Sequence, residues 1–487
     1  MDVNTGEVLG MAVYPPFDLN DPWTLDSFSQ EKLEQSEHLA GSEGYSALKQ
    51  QLLLEMWSNK AITESYIPGS TFKVLTAAMA VEEDVVKLDE TYTCAGSYTV
   101  LGHKIHCHKT IGHGTLSFVQ GIQQSCNPWL MRTGLRLGRD TFYDYIKAYG
   151  YKEKTNIDLP GEGREYIASE DSFTDLDLAI YAFGQNFNVT LIQHLTAISS
   201  VANGGYLLQP HFLSTVKDDD GKLIKSVETQ VRRQIVSSAT CMTVSDILEK
   251  GVSGDGGAKN AYVAGYRVAA KTGTSEKKNA GSEGRYVCST VAYAPADNPQ
   301  YSAIIIVDEP TKGTLYGSTV AAPYGGDVME TILPYLGVEA VYTDEELAKL
   351  AVKVPNCMYW QGSVAKEHME KAPFGLKVEV IGDPDGVVYK QYPEGGTVVE
   401  KASGVVYLYT DREVQAETVV VPNVTGMTAA AANGTLINAG LNIRIEGTKN
   451  YLSGKGAVVV SQSVEEGQRV ERGTVITVVF RYLDDMD

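Results

Sequence analysis

Three short stretches of the chain hold residue types that do chemistry together. Ser70-Thr71-Phe72-Lys73 sets a hydroxyl and an amine three residues apart, which on a helix is one face. A serine hydroxyl is a poor nucleophile until a base takes its proton, and a neutral lysine amine at that distance is such a base. Ser125-Cys126-Asn127, before Pro128, places a second hydroxyl two residues from a carboxamide. Lys271-Thr272-Gly273-Thr274 follows an apolar run. A strand glycine lets another backbone approach closely, while the lysine brings charge and the threonines bring hydroxyls. Each stretch alone has an ordinary reading: an N-cap serine with an exposed lysine, a helix start, a strand end.

These groups need elements to position them. Pro68-Gly69 breaks the chain, and Ser70 to Glu83 reads as an apolar helix with an N-cap-type residue at its start. Residues 26–60 read as helical, from Glu31 to Leu54, as do Gly121 to Leu137, Thr141 to Tyr149 and Thr190 to Ala202. Tyr262–Lys271, Tyr286–Ala294 and Tyr301–Asp308 alternate or run apolar between Gly, Pro, Asn and charged clusters, and read as three antiparallel strands. Helices covering one such sheet give an α+β fold.

Order raises the three stretches above their separate readings. Ser-x-x-Lys at a helix start, Ser-x-Asn about 55 residues on, and Lys-Thr-Gly on a strand about 145 further form the combination of the penicillin-recognising acyl-serine enzymes. The runs Ala61 to Lys73, Gln124 to Pro128, Ile157-Asp-Leu-Pro-Gly-Glu162 and Ala269 to Ser275 resemble class B penicillin-binding proteins, the peptidoglycan transpeptidases, and most closely their sporulation and division types. The resemblance covers residues 1–336 as a transpeptidase domain. It implies Ser70 as nucleophile, Lys73 as base, Ser125 as proton relay, Asn127 on the substrate amide, and Lys271, Thr272, Gly273 and Thr274 around the substrate carboxylate. The implied partners are stem peptides ending in D-Ala-D-Ala, β-lactams and a cell-wall glycosyltransferase. The implied place is the extracytoplasmic face of the membrane, and no cofactor is implied. Two positions depart from the family pattern: Ile67 replaces a frequent acidic residue, and Gly184-Gln185-Asn186 stands where Gly-Gln-Gly is usual. Competing readings are a serine β-lactamase, with Glu162 or Glu165 activating a water, and a muropeptide or β-lactam sensor.

The last 140 residues contain an internal repeat. Val354-Pro355-Asn356 recurs as Val421-Pro422-Asn423, Gly375-Leu376 as Gly440-Leu441, Gln391 as Gln462, and Val399-Glu400 as Val470-Glu471. The pair resembles PASTA modules, small α+β units, at 351–411 and 420–482, with linkers at 337–350 and 412–419. In the second, Thr428 to Ala439 reads as a helix.

Composition excludes other classes. With 487 residues, 43% hydrophobic and 21% charged, the chain buries enough apolar surface to fold. Its net charge of −20 repels polyanions, so nucleic acid is not a partner. No apolar run reaches membrane-span length. At the start, Asn4-Thr5-Gly6 reads as a turn and Val8 to Val13 as a strand. A hairpin there needs a longer first strand, so upstream sequence is expected to be missing; the resemblance implies that it includes a membrane anchor.

Cys94 and Cys107 flank a hairpin-like region, 91–115, that also holds His103, His106 and His108. Unpaired thiols, a disulfide closing the hairpin, and a zinc site from Cys and His all fit. The other four cysteines read as small buried hydrophobes.

Overall fold

The computed structural model describes all residues except 278–283, 339, 342, 344–345, 347–350, 372, 401–403, 414–415, 428, 448–456 and 483–487. Most of the expected 337–350 linker therefore lies outside the described residues, as do Thr428 and part of the linker at 412–419. The chain divides into two compact units: Met1–Val263 with Arg267–Leu333, and Ala264–Tyr266 with Pro334–Asp487.

In the first unit, helices α1 (Ser27–Glu34) and α2 (Glu43–Trp57) replace the single helical stretch expected there. Asp26 and Ser42 cap them through their side chains, because each start leaves backbone N–H groups without partners. The nucleophile region is not one capped helix either. Gly69–Phe72 is a 3₁₀ turn, and α3 (Lys73–Glu82) continues from it without a side-chain cap. Ser70 is thus freed from capping, and Lys73 opens a helix that is buried on nearly all sides.

Region 91–115 is two nested pairs. Strand β1 (Thr91–Cys94) pairs with β4 (Gly114–Ser117), enclosing the hairpin of β2 (Ser97–Val100) and β3 (His103–His106). A capping box at Ser117 and Gln120 starts α4 (Phe118–Gln123). The expected helix from Gly121 to Leu137 is interrupted at Gln124–Cys126 and resumes as α5 (Asn127–Leu137), with Pro128 in its first turn. Ser125 sits in that break at φ +55°, a left-handed conformation that costs a non-glycine residue energy and clusters at functional sites.

Helices α6 (Leu191–Ala202) and α7 (Ser238–Ser253) pack on a three-stranded sheet of β5 (Ala269–Glu276), β6 (Tyr286–Ala294) and β7 (Tyr301–Asp308). Both neighbouring pairs are antiparallel, with Lys271 opposite Val291 and Gly273 opposite Ser289. The first strand begins later than its sequence suggests. Residues 262–268 are irregular, with a turn at Gly265 (φ +78°), so Lys-Thr-Gly lies inside β5 and not at its end. The expected strand at Val8–Val13 is absent. Residues near the start instead form isolated bridges, Asp2 to Tyr301 and Glu7 to His211, around the expected turn at Gly6. The core between sheet and helices is aromatic: Phe72 meets Phe187 edge to face at 5.0 Å and lies 5.8 Å from the Tyr151 ring.

The second unit shows why the repeat recurs. In each copy a helix precedes a parallel strand pair, and a third strand adds antiparallel: Lys377–Ile381, Val405–Tyr409 and Lys390–Tyr392, then Asn442–Gly447, Val475–Tyr482 and Ala457–Gln462. Gln391 donates to the carbonyls of Pro355 (3.0 Å) and Pro393 (3.1 Å) and accepts from Cys357 N–H (2.8 Å). Gln462 repeats the set with Pro422 (3.1 Å), Val464 (2.8 Å) and Val424 N–H (2.9 Å). The repeated Val-Pro-Asn and Gln are therefore two ends of one tie. No helix among the described residues is long and apolar enough to cross a membrane.

Candidate active site

The fold brings the three stretches together around Lys73. Its side chain is fully buried, and its Nζ donates to Asn127 Oδ1 (2.7 Å), the Ser125 carbonyl (2.6 Å) and Ser125 Oγ (3.1 Å). From the other side, Lys271 Nζ reaches the same Ser125 Oγ at 2.9 Å and the Thr272 carbonyl at 3.0 Å. One hydroxyl thus touches two buried amines. Ser70 stands half-buried on the 3₁₀ turn one helical turn ahead of Lys73.

Burial sets the protonation of this pair. It pushes Lys73 down from 10.5 to about 8, while the negative character of the Cys107 and Cys126 sulfurs pulls the other way. Lys271 is lowered well below its ordinary value, by burial first and then by the charge of Lys73. Burial, more than a neighbouring ammonium, is therefore the main cause at Lys73. Both buried amines therefore hold their protons less tightly than a solvated lysine does.

Tight backbone contacts hold the nucleophile turn. Gly69 (φ +58°) donates its N–H to the Gly184 carbonyl at 2.8 Å. A Cβ on Gly184 would lie 1.8 Å from the Gly69 carbonyl oxygen, so no other residue fits there. Asn186 takes φ +70°, a conformation asparagine tolerates better than most residues, so its departure from glycine keeps the turn. Ser275 Oγ donates to the Ile67 carbonyl at 2.9 Å, a contact indifferent to the missing acidic side chain. On β5, a Cβ at Gly273 would lie 2.9 Å from the Pro68 carbonyl oxygen. Thr274 Oγ1 accepts from Gly317 N–H at 2.9 Å, which leaves its own proton to donate. Thr272 Oγ1 lies 3.4 Å from the Gly257 carbonyl.

Behind the turn lies a residue that sequence reasoning missed. His194, buried in α6, donates from Nε2 to Thr71 Oγ1 (2.8 Å), which itself donates to the Pro68 carbonyl (2.7 Å). Its Nδ1 then accepts from the Tyr151 hydroxyl at 2.6 Å. Burial alone lowers it to about 3, so the ring is neutral and its tautomer is fixed by its neighbours. A lone histidine in an apolar helix carries no sequence signal for this. The carboxylates weighed for a deacylating water are otherwise engaged. Glu162 accepts from Thr155 N–H (2.6 Å) and Oγ1 (2.8 Å) and from Asn156 N–H (3.1 Å), and Glu165 lies 3.9 Å from the Lys152 amine.

Beside Asn127 the sulfurs of Cys94, Cys107 and Cys126 converge with His113. The Cys126 thiol donating to Cys107 holds the Cys107 thiol well below its ordinary range, and the same shared proton pushes Cys126 up. The structure holds all six cysteines as thiols. It places His103, His106 and His108 at the surface, with His108 Nδ1 still 3.9 Å from Cys107 Sγ; the histidine that clusters with all three sulfurs is His113, which the sequence reading did not single out.

Known proteins resemble this chain in sequence and in fold. Residues 1–330 match the penicillin binding protein transpeptidase domain, and residues 352–412 and 419–481 each match the PASTA domain. The chain is 34% identical to stage V sporulation protein D of Bacillus subtilis over 85% of its own length and 61% of that protein. It is 27% identical to the peptidoglycan D,D-transpeptidase FtsI of Escherichia coli K12 over 70% of its length, and spans 51% of that relative. Penicillin-binding protein 3 of Mycobacterium tuberculosis, solved in complex with aztreonam, shares the fold with a TM-score of 0.58 at 24% identity, covering 70% of this chain and 72% of that one.

Proposed function

The chain belongs to the penicillin-binding protein transpeptidase family, and from that premise we propose that it is a peptidoglycan D,D-transpeptidase acting through an acyl-serine intermediate. The observation that carries the reading is the meeting of Lys73 and Lys271 on the Ser125 hydroxyl. Ser70 Oγ attacks the carbonyl carbon of the penultimate D-Ala, and Lys73 takes its proton. The bond to the terminal D-Ala breaks, with its amine protonated through Ser125. An amine of a neighbouring stem peptide then attacks the acyl-serine, forming the cross-link and releasing Ser70. Backbone N–H groups of Ser70 and Thr274 hold the developing oxyanion; one such donor is typically worth about 10²–10³ in rate. Asn127 holds the substrate amide, and Lys271, Thr272 and Thr274, flanking Gly273, hold its carboxylate. A β-lactam acylates Ser70 by the same attack.

The shared hydroxyl gives the base a trigger. A substrate carboxylate beside Lys271 favours the charged form of that amine. The charge on Lys271 in turn disfavours a charge on Lys73, which gives its proton up to solvent and is neutral when Ser70 must be deprotonated. The substrate lies outside the cytoplasmic membrane, so the reading places the catalytic unit there, with a cell-wall glycosyltransferase as its expected partner. Stoichiometric labelling by penicillin followed by slow release supports the transpeptidase. Rapid turnover of bound penicillin contradicts it and favours a β-lactamase.

A further inference from the structure

We propose that Cys94, Cys107, His113 and Cys126 form a tetrahedral zinc-type metal site that fixes the Ser125-Cys126-Asn127 segment against the nested hairpins. Their ligand atoms all lie within 4.8 Å of one another. Cys107 Sγ and His113 Nδ1 are 3.6 Å apart, close to the S···N edge of about 3.6 Å that a tetrahedron with metal–sulfur bonds of about 2.3 Å and metal–nitrogen bonds of about 2.1 Å requires. Three sulfurs and one imidazole nitrogen are the soft donor set that zinc takes in closed structural sites.

The backbone is shaped to bring these donors together. Cys94 ends β1, Cys107 follows β3, His113 precedes β4, and Cys126 lies in the break between α4 and α5. Two glycines at left-handed φ, Gly96 (+88°) and Gly112 (+89°), let the Cys94 and His113 segments touch. A Cβ on Gly96 would sit 1.9 Å from the Thr110 carbonyl oxygen, and one on Gly112 2.3 Å from that of Cys94. The three sulfurs are buried, and the backbone N–H groups of Lys109 and Asn127 point at Cys107, the kind of outer-shell donor that orients a metal-bound thiolate. A hydrophobic role fits Cys241, Cys288 and Cys357, which join no such cluster among the described residues. It does not account for a histidine nitrogen placed among three thiols. A disulfide would use two of the sulfurs and leave the other two donors unemployed.

Metal binding here displaces a proton from each of the three thiols into solvent, while His113 binds as neutral imidazole. The site adds no reactive group. It ties Cys126, and through it Asn127, to the hairpin whose His106 carbonyl accepts from Asn127 Nδ2 at 3.4 Å.

The test uses the full chain, purified under reducing conditions, reconstituted with zinc, desalted and assayed for metal, with cobalt(II) as a spectroscopic substitute. The expected result is a single metal per chain and a tetrahedral cobalt spectrum with thiolate charge-transfer bands. Both are lost in Cys107→Ser and His113→Ala and retained in Cys241→Ser. Because a ligand variant can misfold, the unmutated chain provides a second readout: Cys94, Cys107 and Cys126 resist alkylation with zinc bound and react after chelation. Substoichiometric metal after reconstitution, a cobalt spectrum unchanged in Cys107→Ser, or alkylation indifferent to the chelator overturns the proposal. So does a Cys107–Cys126 disulfide that persists under these reducing conditions.

Discussion

Lys73 and Lys271 in the catalytic unit, and Gln391 and Gln462 in the repeats, are long polar side chains bonded to backbone carbonyls, all buried but the half-buried Gln462. They differ in what burial does to them. Each glutamine is neutral and makes three hydrogen bonds, two donated and one accepted, so burial costs little and the tie is static. Each lysine carries a charge that burial penalises, so its proton is loosely held and a single hydroxyl links it to the other amine. The same device, a buried polar group aimed at carbonyls, thus builds a strut in one region and a proton-transfer site in the other.

Lys73→Arg should break the contrast most severely. Arginine keeps the charge and cannot give it up, so acylation by a fluorescent penicillin should fall by about 10²–10⁴, the usual worth of a positioned base. Normal labelling would make Lys73 a strut like the glutamines. Ser125→Ala removes the hydroxyl between the amines. Transpeptidation, measured as cross-linked product, should fall by about 10², the lower end for proton transfer by a positioned group; an unchanged rate would remove the relay.

In the repeats, Gln391→Ala or Gln462→Ala leaves carbonyl and N–H groups without partners, which costs about 1–3 kcal/mol each. Thermal melting should show the loss while penicillin acylation proceeds at its original rate. A drop in acylation with no change in melting would mean that the glutamines are not struts. The smallest effect per step is that of pH. A Lys73 amine lowered to about 8 accepts a proton only when neutral. The second-order acylation rate should therefore fall about tenfold per pH unit below that value and level off above it. The same shift makes the unfolded chain bind more protons between about 8 and 10.5, so stability should rise across that window. A flat rate profile from pH 6 to 9, or loss of stability across the window, would mean that Lys73 is not desolvated.

The site was legible where chemistry lies close along the chain. Ser70 and Lys73, Ser125 and Asn127, and Lys271 to Thr274 each carry a local spacing, and their order predicts the meeting that the fold shows. The glutamine ties were legible as a repeat, though their partners were not, because the contacts join positions 36 to 40 residues apart. What stayed hidden depends on tertiary placement. His194 reads as a core residue in an apolar helix, and Cys126 was absorbed into its motif. His113 lies outside the spacing that drew attention to Cys94 and Cys107. The start of β5 was misplaced because the apolar alternation from Tyr262 runs through a turn at Gly265.

The measurement closest to the central claim is to label the chain with a fluorescent penicillin, digest it, and map the adduct by mass spectrometry beside the Lys73→Arg variant. The account predicts a single adduct on the peptide carrying Ser70 in the unmutated chain and none in the variant. An adduct on any other peptide, or equal labelling of the two chains, would contradict it.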